Sequence, residues 1–142
     1  MPDFGHYDRV VYGVAVCAGL VLLVYALYLL LVIVHEAGHL TAGLICRFTP
    51  QSVRVGPVEW KRAEDNKWTW KFDFRWGLLT SGHTRMATRP FRLSGICGRY
   101  LFRVLAGPFA NLLAALATVP FAFDETAFGA FCKFFILGSV LV

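Results

Sequence analysis

The run VVYGVAVCAGLVLLVYALYLLLVIVHEAGHL, residues 10–40, has twenty-five residues without a charge followed by three ionisable side chains. On a helix, His35 and His39 lie one turn apart on the same face, so both can reach one metal ion. Glu36 lies beside them and can take the proton of a water molecule that the metal activates. The pattern indicates metal-assisted peptide hydrolysis, with Zn2+ as the expected ion, His35 and His39 as its ligands and Glu36 as the general base.

The apolar part of this run predicts a transmembrane helix. About twenty residues suffice to cross the hydrocarbon core, and the hydrophobic fraction of the whole chain is 57%, above the level usual in soluble proteins. The run is longer than the core of a cleavable signal, and Asp3, Asp8 and Arg9 before it do not form a basic start. We therefore expect a retained anchor.

Two further stretches predict additional spans. Residues 104–123 carry no charge, and residues 126–142 carry only Lys133. Twelve of the fourteen Lys and Arg residues fall within 47–103, so that segment is expected in the cytoplasm, with the N-terminus and the 124–125 turn outside. The net charge of +5 thus reflects orientation in a lipid bilayer, and no nucleic-acid motif is present.

The fold class expected is an α-helical integral membrane protein with about three transmembrane helices and a cytoplasmic β-hairpin or sheet excursion. Residues 1–142 form a single membrane domain, which divides into a zinc-motif helix (10–46), a β-rich excursion (50–90), a second span (100–123) and an incomplete third span (127–142). The first helix would measure about 55 Å, against about 30 Å for a bilayer core. It must tilt, break near Gly13 or Gly19, or leave the membrane.

The excursion is predicted to contain a hairpin. Val53-Arg54-Val55 alternates in polarity, the polar residues 63–67 supply a turn, and five aromatic residues then occupy one strand face: Trp68, Trp70, Phe72, Phe74 and Trp76. The aromatic face suits the membrane interface. Two interpretations stay open, a hairpin that rests on lipid or a sheet edge that adds a substrate strand beside the metal.

Two other polar residues need interpretation. His83 is expected to be a solvated loop histidine, since no partner spacing supports ligation. Asn111 follows Gly107 and Pro108 in the second span, where a side-chain amide tends to face protein or water. On these residues alone, a packing role for Asn111 and a role in the site are both open.

The chain resembles the site-2 protease family of intramembrane zinc metalloproteases. The resemblance rests on Val34 to Leu40, on Ala42-Gly43-Leu44, on the short strand Val53 to Pro57 and on Leu105-Ala106-Gly107-Pro108-Phe109-Ala110-Asn111, in this order over residues 31–123. It implies a three-helix core that cleaves membrane-spanning protein substrates. It also implies zinc ligation by His35 and His39, a general base in Glu36, and a site-lining or substrate-orienting role for Asn111.

One departure from the family is the third ligand, which the family takes from an Asp-Gly motif on the next helix. No acidic residue follows Glu125 here, and the expected topology puts Asp124 on the far side of the membrane from His35. Because the sequence ends inside an apolar run, we expect a truncated chain whose next residues carry this ligand. The alternatives are a non-catalytic membrane protein of the same fold, which binds partner helices or a metal, and a small membrane scaffold with an interfacial hairpin.

Overall fold

Three helices lie beside a four-stranded antiparallel sheet in the computed structural model, which describes residues 4–88, 95–123 and 125–141. The elements are α1 (Phe4–Ile45), β1 (Thr49–Val55), β2 (Val58–Arg62), β3 (Trp68–Phe72), the single turn α2 (Trp76–Leu79), β4 (Gly82–Ala87), α3 (Ile96–Ala122) and α4 (Ala127–Leu141). Asp124 and the predicted boundaries at residues 89–90 and 142 lie outside the described residues.

The first helix is continuous over 42 residues, which corresponds to about 63 Å. It shows no break at Gly13 or Gly19, so that alternative for fitting it to a bilayer is wrong. The helix ends because Arg47 adopts a left-handed φ of 64° and the Phe48 N–H donates to the carbonyl of Gly43. Of the three predicted ways to fit this length to a bilayer, two stay predictions: the helix tilts, or it extends beyond the bilayer.

Within the described residues, two helices are long and apolar enough to cross a membrane, α1 over Arg9–Ile45 and α3 over Ile96–Ala122. The apolar part of α4, Phe128–Ser139, is shorter than that. A mostly helical chain with a small sheet is therefore confirmed, whereas the third predicted span stays a prediction.

The helices pack through small residues. Gly38 of α1 lies directly against the Ala106 carbonyl and the Ala110 side chain of α3, and Gly138 of α4 lies against Leu31 of α1. A side chain at Gly38 would separate α1 from α3, because its Cβ would lie 2.7 Å from Ala110 Cβ. This close approach brings the segment 35–39 of α1 against the Gly-Pro segment of α3.

The sheet has the strand order β3-β2-β1-β4, so the predicted hairpin is only part of it. The predicted turn at 63–67 is present, with the Ala63 N–H donating to the Lys67 carbonyl, but it joins β2 to β3 and not residues 53–55 to the aromatic strand. The chain first reverses at Gly56, whose φ is 54°, which pairs Val55 with Val58. The added strand β4 pairs with the other edge of β1.

The aromatic strand is shorter than predicted. It ends at Phe72 because β2 offers only five residues for pairing, and the Asp73 N–H then donates to the Pro57 carbonyl. Phe74 follows the strand, and Trp76 begins α2, so the five aromatic residues do not share one strand face. His83 is likewise not in a loop, since it lies in β4 and pairs with Arg54 of β1.

Candidate metal centre

His35 and His39 face one point on the adjacent helix. A Cβ atom built on Gly107 of α3 would lie 2.7 Å from His35 Nε2 and 2.5 Å from His39 Nε2. The two rings stand nearly perpendicular, with centroids 4.8 Å apart. Both Nε2 atoms therefore lie close to the backbone of Gly107, and a side chain at position 107 would clash with them.

The His39 ring is held in one tautomer by the backbone of α3. Its Nδ1 lies 2.7 Å from the Arg103 carbonyl oxygen, which can only accept a hydrogen bond. In the neutral ring, Nδ1 therefore carries the proton and Nε2 keeps its lone pair. This is the arrangement that a histidine ligand requires, with its second nitrogen fixed by an outer partner.

Asn111 lies against His35 and is fully buried. Its Nδ2 is 3.4 Å from His35 Nδ1, and its buried Oδ1 has no hydrogen-bond partner among the described residues. Turning the amide by 180° puts Oδ1 opposite Nδ1, where it accepts a hydrogen bond from Nδ1–H and leaves the lone pair on His35 Nε2. The flipped amide gives His35 the tautomer that His39 has, and Nδ2 then becomes the amide atom without a partner.

Glu36 points from α1 toward the sheet and is only 5% exposed. The Thr84 hydroxyl of β4, itself buried, donates a hydrogen bond of 2.6 Å to Glu36 Oε2. The other oxygen, Oε1, lies 2.8 Å from the position that a Cβ on Gly82 would occupy. The carboxylate thus lies between α1 and β4, with one oxygen bonded and the other facing a residue without a side chain.

Arg103 connects the two halves of this arrangement. Its guanidinium donates a hydrogen bond to the Thr84 carbonyl, and its own carbonyl accepts the bond from His39. β4 is an edge strand, so some of its carbonyls have no partner within the sheet. The same residue of α3 therefore holds β4 and orients a histidine of α1.

The predicted residues His35, His39 and Asn111 come together at Gly107, and Glu36 lies beside them toward β4. Thr84, Gly82 and Arg103 were not predicted. Two of them fall near His83 in the stretch Thr80 to Thr84, but the hydroxyl of a threonine carries no spacing signal of its own. Arg103 acts partly through its backbone carbonyl, which no side-chain pattern reveals.

The residues present fit a divalent transition metal on one side of its coordination sphere. The Nε2 atoms of two imidazoles converge beside Gly107, and neutral imidazole is a favoured zinc ligand. Within residues 4–88, 95–123 and 125–141, no group of three or more His, Cys, Asp or Glu side chains is arranged to hold a metal. The third protein ligand of a catalytic zinc site is thus not among the described residues.

Comparisons with known proteins give no match: no protein-family model, no curated protein and no solved structure is significantly similar to this chain. The candidate site must therefore be judged on its own geometry.

Proposed function

We propose that the chain is an intramembrane zinc endopeptidase, or the catalytic part of one, that cleaves membrane-spanning protein substrates. The observation that carries the proposal is the convergence of His35 Nε2 and His39 Nε2 beside Gly107. His35, His39 and further ligands from outside the described residues would hold the ion. Zinc in such a site polarises a peptide carbonyl and makes water a nucleophile at neutral pH.

Glu36 is the general base of the proposed reaction. Its carboxylate accepts a proton from the attacking water as the water oxygen bonds to the carbonyl carbon of the substrate. The same proton then passes to the amide nitrogen as the C–N bond breaks, so that Glu36 returns to its ionised form. Burial at 5% exposure suits this role, because it keeps bulk water from competing for the carboxylate.

Asn111 is proposed to line the site. Its contact with His35 Nδ1 and its complete burial favour a role in the site over helix packing alone. By orienting the ring of His35, the amide would determine whether Nε2 is able to ligate a metal.

The proposed location is a lipid bilayer, with the basic segment 47–103 on the cytoplasmic side. Apolar side chains along the first half of α1 are exposed, among them Val14, Val21 and Leu22. Such a face is stable in lipid but not in water. His39 lies against Arg103, the last charged residue before the apolar stretch of α3, so the site would open near the cytoplasmic edge of the membrane.

The test compares the detergent-purified chain with His35→Ala and Glu36→Gln, together with any longer product that the gene encodes. Zinc is measured by elemental analysis, and cleavage is followed by mass spectrometry on an apolar peptide of about twenty residues. We expect Glu36→Gln to keep zinc and lose cleavage, and His35→Ala to lose both. No cleavage by any zinc-loaded product would reject the peptidase.

A second candidate function is a non-catalytic membrane protein of the same fold. The absence of a three-ligand group among the described residues favours it. This candidate predicts that zinc binds through His35 and His39 without cleavage, and that Glu36→Gln changes neither property. Failure to bind zinc in every product would instead favour a membrane scaffold.

A further inference from the structure

A strand of the sheet reaches the proposed general base directly. Thr84 of β4 is 7% exposed, and its hydroxyl donates to Glu36 Oε2 over 2.6 Å. Hydrogen bonds from a neutral donor to an ionised acceptor are among the stronger ones in proteins. The two residues are 48 positions apart in the chain, so tertiary structure alone creates this contact.

The hydrogen bond makes the two carboxylate oxygens of Glu36 inequivalent. Oε2 is occupied by Thr84, whereas Oε1 faces Gly82, where a Cβ would lie 2.8 Å away. The same Cβ position lies 2.6 Å from Val32 Cγ1, so only glycine fits at 82 and the strand packs directly against the carboxylate. Thr84 and Gly82 are next-but-one neighbours on β4 and share one face of the sheet, so a single strand contacts both carboxylate oxygens.

The position of β4 is itself controlled by α3. The Arg103 guanidinium donates to the Thr84 carbonyl, and the Arg103 carbonyl accepts from His39 Nδ1. A chain of contacts thus runs from Glu36 through Thr84 and Arg103 to His39. The orientations of Glu36 and His39 thus both depend on the packing of β4 against α3.

We propose that Thr84 is the positioning residue for Glu36 and that β4, held by Arg103, makes the sheet part of the hydrolytic site. The inference rests on the proposed peptidase function. Any ligand or partner that displaces β4 would then lower the rate of hydrolysis without touching the histidines.

The first readout needs neither metal nor substrate. The carboxylate band of Glu36 is isolated as the infrared difference between the metal-free chain and Glu36→Gln. We expect Thr84→Val to shift this band, because valine keeps the shape of threonine and lacks the hydroxyl. Thr84→Ser restores the hydroxyl and should restore the band. Thr69→Val is the matched control, since it removes a hydroxyl that bonds Lys61 on the exposed part of the same sheet.

The second readout is hydrolysis of a quenched-fluorescent apolar peptide by the zinc-loaded protein. We expect Thr84→Val to lower kcat about tenfold, a part of the 10²–10⁴ that a general base contributes, with KM and zinc content within about twofold of the parent. Thr84→Ser should recover most of the loss. Arg103→Gln should also lower kcat while keeping zinc, because the backbone carbonyl that holds His39 remains.

The outcomes separate the two proposals. An unshifted carboxylate band in Thr84→Val overturns the positioning role whether or not the protein is a peptidase. Unchanged kcat in that variant, with Glu36→Gln inactive, does the same. Equal loss of zinc in the valine and serine variants would mean a structural role for Thr84. In that case the kcat of Arg103→Gln tests the role of β4: a lowered kcat supports it, and an unchanged kcat overturns it. Full activity of Glu36→Gln, or no activity in any zinc-loaded product, longer ones included, rejects the peptidase and leaves the infrared result standing.

Discussion

Asn111 Nδ2 lies 3.4 Å from His35 Nδ1 across the interface of α1 and α3, and the amide oxygen beside it has no partner. Only the flipped amide, whose oxygen accepts from His35 Nδ1–H, leaves His35 Nε2 able to bind a metal. The pair thus links a buried amide to a proposed metal ligand of the first helix. It distinguishes a site residue from a packing residue more sharply than burial does.

This relationship predicts that full zinc affinity requires a hydrogen-bond acceptor at position 111. Asn111→Asp keeps an oxygen for the Nδ1–H, whereas Asn111→Leu keeps the approximate volume and removes it. We expect the leucine variant to bind zinc about 10–100-fold more weakly, the range typical for loss of an outer partner, and the aspartate variant to stay near the parent. Competition with a chromogenic chelator measures both. Equal affinity of the leucine variant and the parent would contradict the tautomer argument.

A second prediction concerns the close approach of both imidazoles to Gly107. Gly107→Ala places a methyl group 2.5 Å from His39 Nε2 and 2.7 Å from His35 Nε2, so the imidazoles must move apart or the helices must separate. We expect zinc content to fall close to zero. The matched control is Gly98→Ala on the same helix, where a Cβ meets nothing within 4 Å.

For Gly98→Ala we expect full zinc content and a melting temperature equal to or above that of the parent. Replacing glycine by alanine inside a helix is worth about 0.5–1 kcal/mol where space permits. If the two variants lost zinc equally, the space beside Gly107 would not be the metal site.

The long helices and the histidine pair were predictable because their signals are local. A long uncharged run predicts a long apolar helix. Four-residue spacing places His35 and His39 on one helix face, independently of the rest of the chain. The sheet was less predictable, because β4 pairs with β1 across about thirty residues and only the hairpin turns lie close in sequence. Thr84 reaches Glu36 through that distant pairing, so its role could not be seen from sequence.

A third prediction follows from an ion pair at the centre of the sheet. Glu59 and Arg54 are cross-strand partners on β2 and β1, and the guanidinium donates to Glu59 Oε2. This hydrogen bond, followed by the positive charge of Arg54, holds the pKa of Glu59 below its ordinary value of 4.5, although burial acts in the opposite direction. The folded state therefore favours the ionised carboxylate.

Because the pKa is lowered on folding, the ion pair stabilises the sheet above pH 4.5, and this contribution disappears as the pH falls through the folded-state pKa. We expect Glu59→Gln to cost about 1 kcal/mol at neutral pH and nothing once Glu59 is protonated. Melting temperatures in detergent as a function of pH measure the difference. Asp65→Asn serves as control, since its partner Lys67 is 81% exposed and the pair should contribute little at any pH.

The last prediction concerns the exposed aromatic side chains of β2 and β3. Trp60 and Trp70 are direct cross-strand partners with 43% and 73% of their surfaces exposed, and they occupy the sheet face that also carries Thr84. Large exposed aromatic rings are stable at a membrane interface, where the apolar body meets lipid. A variant that keeps Trp70 and replaces the other three tryptophans by phenylalanine should therefore show fluorescence quenched by brominated lipids in nanodiscs.

The matched variant that keeps only Trp76, which lies outside the strands, shows whether quenching is specific to the sheet. Trp70 fluorescence that is insensitive to brominated lipid but quenched by aqueous iodide would place this face in water and leave it available to a protein strand.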